Sequence, residues 1–368
     1  MRDRPVPTRI AVSRRSSRAL LALPLGIILA ITLVDIQTPE TIHLGPFLVA
    51  APAITASFAG AALTGGIGAL AVVAQIVIGH LHGGLMTANH QAQIAALVVI
   101  SVLLTVFRYL ADRHERRLLR VRSVAVAAQE VLLRPLPTRV GPLRIASVYL
   151  SAEEEAQIGG DLYAAVRTDG GTRFVIGDVR GKGLAAVGDA AVVIGAFRGS
   201  AHRQLSLPAM AAHLGNAVRW NWVHAAERAG DAQESFVTAL LLDVPDDSPI
   251  VGMVDCGHPP PLLLHDGKVR LVEVGAPALP LGLVEASERF FPVETFAYED
   301  NDLLVLYTDG VIEARDAFGT FYPLVERVAG WEGDSPQSLV RYLHDDLLQH
   351  AGGTLNDDAA IVVIARSP

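Results

Sequence analysis

Four long apolar runs in the first third of the chain constrain its fold more than any other feature. Residues 19–35, 47–64, 66–82 and 91–110 each approach the roughly 20 residues needed to cross a bilayer. Only the first and last contain a charge, Asp35 and Arg108, at or near the end of the run. The middle two meet at Thr64, Gly65 and Gly66, which predicts a tight hairpin there and about four spans within residues 1–110. The mean hydropathy of +0.37 is high for a purely soluble chain, and these runs account for it.

Orientation follows from the flanks. Arg2, Arg4, Arg9, Arg14, Arg15 and Arg18 precede the first run, and Arg108, Arg113, Arg116, Arg117, Arg120 and Arg122 follow the last. The intervening outer loops, 36–46 and 83–90, contain no Lys or Arg. The positive-inside rule then places both ends in the cytoplasm, as an even number of spans requires. A cleaved signal peptide does not fit, because further apolar runs follow and no small-residue cleavage site stands out. The expectation is a multi-pass protein of the cytoplasmic membrane with a cytoplasmic C-terminal domain.

Charge divides the chain at the same place. Residues 1–122 hold 12 Lys+Arg against 5 Asp+Glu, a net of +7; the remainder nets −15, which gives the overall −8. An acidic domain argues against nucleic acid as a partner, and the basic flanks suit anionic lipid. The only cysteine, Cys256, excludes a disulfide framework, and its strand-like surroundings (VGMVDCG) make it a core thiol.

Residues 111–137 lack Gly until Pro135 and Pro137 stop the pattern, and Leu118, Val121, Val124, Ala125, Ala128, Val131 and Leu132 recur at helical spacing. This linker helix is either a plain spacer or a signalling and dimerisation element. From 138 to 368, apolar runs at 143–150, 161–168, 172–179, 235–244, 249–257, 260–265, 268–274, 302–309 and 360–366 read as strands, and 183–203, 207–228 and 335–351 as helices. Short turns such as Asp169-Gly170 and Asp266-Gly267 imply antiparallel sheets with helices packed outside them.

The chemistry centres on RFVIGDVRGKGLAAV (173–187), where a strand passes into a helix. Glycines around Lys182 suggest a phosphate cradle, yet Asp178 would repel a phosphate. A P-loop is excluded, since Gly177 and Gly181 have three residues between them and Gly183 stands where the hydroxyl should be. Asp178 is either a turn residue or a ligand of a divalent cation lying between carboxylate and phosphate. The cation requires more carboxylates, and the sequence has them. Asp161 follows two glycines at a strand start, Asp309 ends an apolar strand before Gly310, and Asp357 and Asp358 precede the last strand. Carboxylates converging at one end of a sheet repel unless a cation neutralises them.

These elements, taken in order, resemble the SpoIIE/RsbU-type phosphatase domain of the PPM (metal-dependent protein phosphatase) superfamily. The resemblance rests on Gln129 with Leu136-Pro137, Gly159-Gly160-Asp161 with Tyr163, and Gly177-Asp178-Val179-Arg180-Gly181-Lys182-Gly183. It continues through Phe236-Val237-Thr238-Ala239, Gly257-His258-Pro259-Pro260-Pro261, Tyr307-Thr308-Asp309-Gly310 with Glu313, and Asp357-Asp358. Ala164 departs from the pattern, where an Asp is usual after the tyrosine; an auxiliary contact is expected to weaken there. The resemblance does not extend to the membrane part.

It implies an α-β-β-α sandwich of two mainly antiparallel sheets flanked by helices, with two Mn²⁺ or Mg²⁺ ions at one end. Asp178 would bridge both ions and the Val179 carbonyl would ligate one. Asp309 and Asp357, with Asp358 beside them, would complete one site and Asp161 would support the other. A hydroxide held between the ions would attack the phosphoester. Lys182, between Gly181 and Gly183, would serve turn geometry or phosphate, and His258 a structural hydrogen bond or general acid. The implied substrate is a phosphoserine or phosphothreonine on a STAS-domain anti-anti-sigma factor. The alternative is a catalytically inactive membrane sensor or scaffold binding the same partner. A diguanylate cyclase is excluded because Leu162-Tyr163 replace the acidic-aromatic pair after Gly-Gly-Asp. A transporter is disfavoured by apolar runs without interior charge.

Overall fold

A computed structural model describes residues 14–38, 44–82, 87–151, 160–229 and 235–367. Arg2, Arg4, Arg9 and Gly159 lie outside these residues, as do the side chains of Leu118, Val121, Val124, Ala125, Ala128 and Val131. The chain forms two compact units, 1–120 and 121–368.

The first unit holds α1 (Arg14–Gln37), a 3-10 turn (Gly45–Val49) running into α2 (Ala50–Phe58), α3 (Ala61–Leu81) and the start of α4 (Ala88–Leu132). Leu20–Gln37, Ala61–Leu81 and Ala88–Arg117 are long and apolar enough to cross a membrane. The expected second span is different. Residues 45–58 make a broken helix of roughly 23 Å at 2.0 and 1.5 Å per residue, short of the roughly 30 Å hydrocarbon layer. The chain turns at Ala59-Gly60, both extended, instead of at Thr64–Gly66. Those residues lie inside α3 because its small residues pack. A Cβ on Gly65 would stand 3.3 Å from Thr105, and one on Gly68 only 2.8 Å from Ser101. Asp112 Oδ2 accepts the Ala61 amide at 3.2 Å and Gln75 Nε2 donates to Gln93 at 2.9 Å, so α3 and α4 run antiparallel.

Residues 111–132 of the linker are helical and form the last part of the 45-residue α4, because no Gly or Pro interrupts residues 88–132.

The second unit is a four-layered sandwich. One sheet has the order β1-β2-β11-β10-β7-β8, formed by Arg139–Val140, Leu143–Leu150, Ala359–Arg366, Leu303–Tyr307, Leu262–His265 and Lys268–Leu271. The other has the order β3-β4-β5-β6-β9, formed by Leu162–Arg167, Gly171–Val179, Val237–Pro245, Ile250–Cys256 and Glu294–Ala297. Every pairing between neighbouring strands is antiparallel. Outside the second sheet lie α5 (Leu184–His202) and α6 (Leu207–Ala229); α8 (Leu324–Ala329) and α9 (Pro336–His350) pack outside the first. The short α7 (Asp309–Ile312) follows β10 directly.

The alternation within β11 shows why the layers form. Ala360, Val362 and Ile364 enter the core between the sheets, while Ala359, Ile361, Val363 and Ala365 enter the core beneath the helices. A strand buried on both faces reads as a continuous apolar run. Helix α5 is also apolar enough to cross a membrane. Here it is a core helix, with Ala190, Val193, Ile194 and Phe197 packed into the same cluster as Phe174 and Ile176 of β4.

Candidate metal centre

Antiparallel pairing brings the expected carboxylates to one end of the sandwich. Asp178 lies near the end of β4 opposite Thr238 of β5. Asp161 leads into β3 and is 3 % exposed. Asp309 opens α7 immediately after β10, and Asp357 and Asp358 precede β11. The two sheets meet here through Thr308, whose hydroxyl donates to Asp161 Oδ2 at 2.8 Å and accepts the Ala360 amide at 2.9 Å. Gly310 allows the ends of β10 and β11 to close: a Cβ there would stand 1.9 Å from the Asp358 carbonyl oxygen. The Val179 carbonyl is packed against Gly160, 2.4 Å from where a Cβ would be, and the Val179 amide donates to Gly160 O at 3.2 Å.

These carboxylates are mutually uncompensated. Burial, and then the charges of Asp309, Asp357 and Asp358, push the Asp178 carboxyl up to about 7. Asp161 is held well above the usual carboxylate range by burial and then by Asp178; the Thr308 hydrogen bond opposes this. Asp309 is raised by burial, then by Glu313 and Asp357. Lys182 is the nearby cation, with Nζ 3.2 Å from Asp357 Oδ2 in a half-exposed pair. Among the described residues no three acidic, cysteine or histidine side chains form a finished metal cage. The donor set nevertheless suits a hard divalent cation: all oxygen, drawn from both sheets, with negative charge that a cation would relieve.

Asp358 is placed differently from the others. Its Oδ2 accepts a hydrogen bond from the Tyr149 hydroxyl and lies 3.4 Å from Gln129 Nε2. Gly181 and Gly183 have φ of +116° and +83°, conformations that suit glycine, and Gly183 caps α5. His258 is buried with Nε2 3.1 Å from the Tyr307 carbonyl, and its own amide donates to Asp255 at 2.9 Å. Burial holds this imidazole down at about 3, so it is neutral and structural. Cys256 is fully buried in β6, which pushes its thiol up and leaves it inert. Thr308 and Tyr149 received no role from the sequence; Gln129, a polar residue within an apolar helical stripe, carried a signal in its position.

The sandwich has the fold of a PPM or PP2C-type phosphatase domain. Residues 168–367 match the family described as Stage II sporulation protein E (SpoIIE), and the chain belongs to that family. It is similar to the phosphoserine phosphatase RsbU of Bacillus subtilis (strain 168), 24% identical over 246 residues that cover 66% of this chain and 69% of RsbU. The SiaA-PP2C domain of Pseudomonas aeruginosa is similar in fold, with a TM-score of 0.55 and 14% identity over 70% of this chain and 100% of that one. The RsbU and RsbW domains of Rv1364c from Mycobacterium tuberculosis align at 25% identity and a TM-score of 0.47, covering 63% of this chain. This chain spans 61% of that longer protein.

Proposed function

We propose that this protein is a membrane-anchored, divalent-metal-dependent phosphatase that hydrolyses phosphoserine or phosphothreonine on a regulatory protein. The observation that carries this reading is the convergence of Asp161, Asp178, Asp309 and Asp357 at one end of the sandwich in a chain of this family, where the raised carboxyls of Asp161, Asp178 and Asp309 report unneutralised charge. Asp178 and the Val179 carbonyl would hold one ion, with Asp161 in support. Asp309 and Asp357 would share Asp178 with a second ion, and Asp358 stands beside them. Bound there, such ions supply Lewis acidity toward the phosphoryl oxygens and toward water at neutral pH.

The chain's own residues do the rest. Thr308 fixes Asp161 by accepting an amide hydrogen bond and donating one to the carboxylate. Lys182 places a positive charge at the rim, where the incoming phosphate is negative. Neither Cys256 nor His258 is available as a nucleophile or acid, since both are buried.

Arginines on both flanks and three long apolar helices support a membrane region with a cytoplasmic phosphatase domain. This orientation needs residues 45–58 to return across the bilayer between α1 and α3 as a short span, with the bilayer thinned locally to match it. Similarity to RsbU supports a phosphoprotein of a sigma-factor pathway, and a phosphorylated STAS-domain anti-anti-sigma factor is the substrate in this reading. The test is release of phosphate from such a phosphoprotein by the full chain in nanodiscs. Turnover should appear with Mn²⁺ or Mg²⁺ and vanish in excess chelator; undiminished turnover under chelation sinks the reading.

A further inference from the structure

Gln129 lies near the C-terminal end of α4, three residues before Leu132, and is 5 % exposed. A buried primary amide needs partners. Its Nε2 donates to the Tyr149 hydroxyl at 2.5 Å and lies 3.4 Å from Asp358 Oδ2. The Tyr149 hydroxyl in turn donates to the same Oδ2. A helix, strand β2 and the residue preceding β11 thus close a triangle around one carboxylate oxygen.

Asp358 is a sensitive place to hold. Asp358 is 4 % exposed and lies beside Asp161 and Asp178. The two donors on Oδ2 fix the direction of its side chain. The main chain of Asp358 reaches two of the proposed ligands. Its amide donates to Asp357 Oδ1 at 3.0 Å. Its carbonyl packs on Gly310, the residue after Asp309, so closely that a Cβ would stand 1.9 Å away. A displaced Asp358 therefore shifts Asp357 directly and Asp309 through its neighbour.

We propose that Gln129, together with Tyr149, is a positioning residue for the metal centre: it anchors Asp358, and the Asp358 main chain sets the placement of Asp309 relative to Asp357. The proposal rests on the reading of those aspartates as metal-holding. It differs from a packing role because the triangle holds the residue whose main chain touches Asp357 and Gly310. Outer partners of metal ligands contribute about 10- to 100-fold to metal affinity.

The test is Mn²⁺ binding by titration calorimetry on the full chain in nanodiscs, without substrate, alongside turnover at saturating Mn²⁺. Gln129→Ala should raise the Mn²⁺ Kd about 10- to 100-fold and leave kcat at saturating metal much closer to the parent. Tyr149→Phe, which removes only the hydroxyl, should shift Kd in the same direction. The double variant should fall short of the product of the two effects, because one triangle is broken in each. A structural role alone would lower the thermal midpoint of the metal-free protein and leave Kd unchanged. A folded Gln129→Ala protein with Kd within about twofold of the parent overturns the proposal, since the expected change is about 10- to 100-fold. If Gln129→Ala does not fold, an unchanged Kd in Tyr149→Phe overturns it instead. A parent that binds neither Mn²⁺ nor Mg²⁺ overturns the metal reading as well; a parent that binds, with variants that bind equally, overturns the role of Gln129 alone.

Discussion

The Thr308 hydroxyl lies 2.8 Å from Asp161 Oδ2, and this contact joins the acidic ends of the two sheets. Thr308 follows β10 of one sheet and Asp161 leads into β3 of the other. The Thr308 main chain also donates to Ala360 O at 3.1 Å, so the hydroxyl is held from both sides. Thr308→Val preserves the shape and removes the donor, leaving a buried carboxylate oxygen unpaired. The metal-free protein should lose about 1–3 kcal/mol. Denaturant unfolding followed by tryptophan fluorescence measures this, since Trp220, Trp222 and Trp331 all lie in the second unit. An unchanged midpoint would show that the contact contributes nothing.

Asp178 and Asp309 stand at the centre of the mutual repulsion. Asp178→Asn or Asp309→Asn should lower turnover by several orders of magnitude, since metal stabilisation of transition-state charge contributes several kcal/mol. Both variants should be no less stable without metal, because each removes a repelling charge. Near-parental turnover in either folded variant would refute its assignment.

Cys256 is buried in β6 and its thiol is pushed up by burial and by Asp255. Cys256→Ser should retain turnover while losing a modest amount of stability from placing a hydroxyl in an apolar site. Loss of activity with metal binding and fold intact would point to thiol chemistry.

His258 makes acid stability predictable. Its folded value of about 3 lies below the ordinary histidine value of 6.5, so the unfolded chain takes up a proton that the folded chain refuses. Its contribution is fully present above pH 6.5 and is lost as pH falls toward 3, at up to about 1.4 kcal/mol per pH unit. His258→Gln, which can still donate to the Tyr307 carbonyl, should flatten the decline in unfolding free energy between pH 6.5 and 5. An equally steep decline in the variant would assign it to other groups.

Topology can be read with reporter fusions after Arg18, Ala88 and Arg122. The proposed orientation gives cytoplasmic, external and cytoplasmic signals. An external signal at Arg122 would put the phosphatase unit outside the cell, away from any cytoplasmic phosphoprotein.

Much of the catalytic unit is legible in the residues themselves. LRIASVYL coincides with β2, and the runs containing Asp178 and following Asp358 mark β4 and β11 to within a residue or two. Local pattern suffices there, because strands buried on both faces must be continuously apolar and chemistry collects at their ends. The helix boundaries in the first unit were not legible in the same way. Gly65 and Gly66 look like a turn, and only the approach of Thr105 shows Gly65 as a packing surface within α3.

The sequence by itself determined that the chain has an apolar helical part and an antiparallel α/β part, with aspartates at strand ends, because periodicity and composition are local properties. The tertiary structure alone decided which groups meet. It placed Thr308 on Asp161 across two sheets, and Gln129 and Tyr149 on Asp358 across sequence separations of 229 and 209 residues. Such pairings depend on how the sheets stack and on which buried polar group lacks a partner, and both are set only when the layers close.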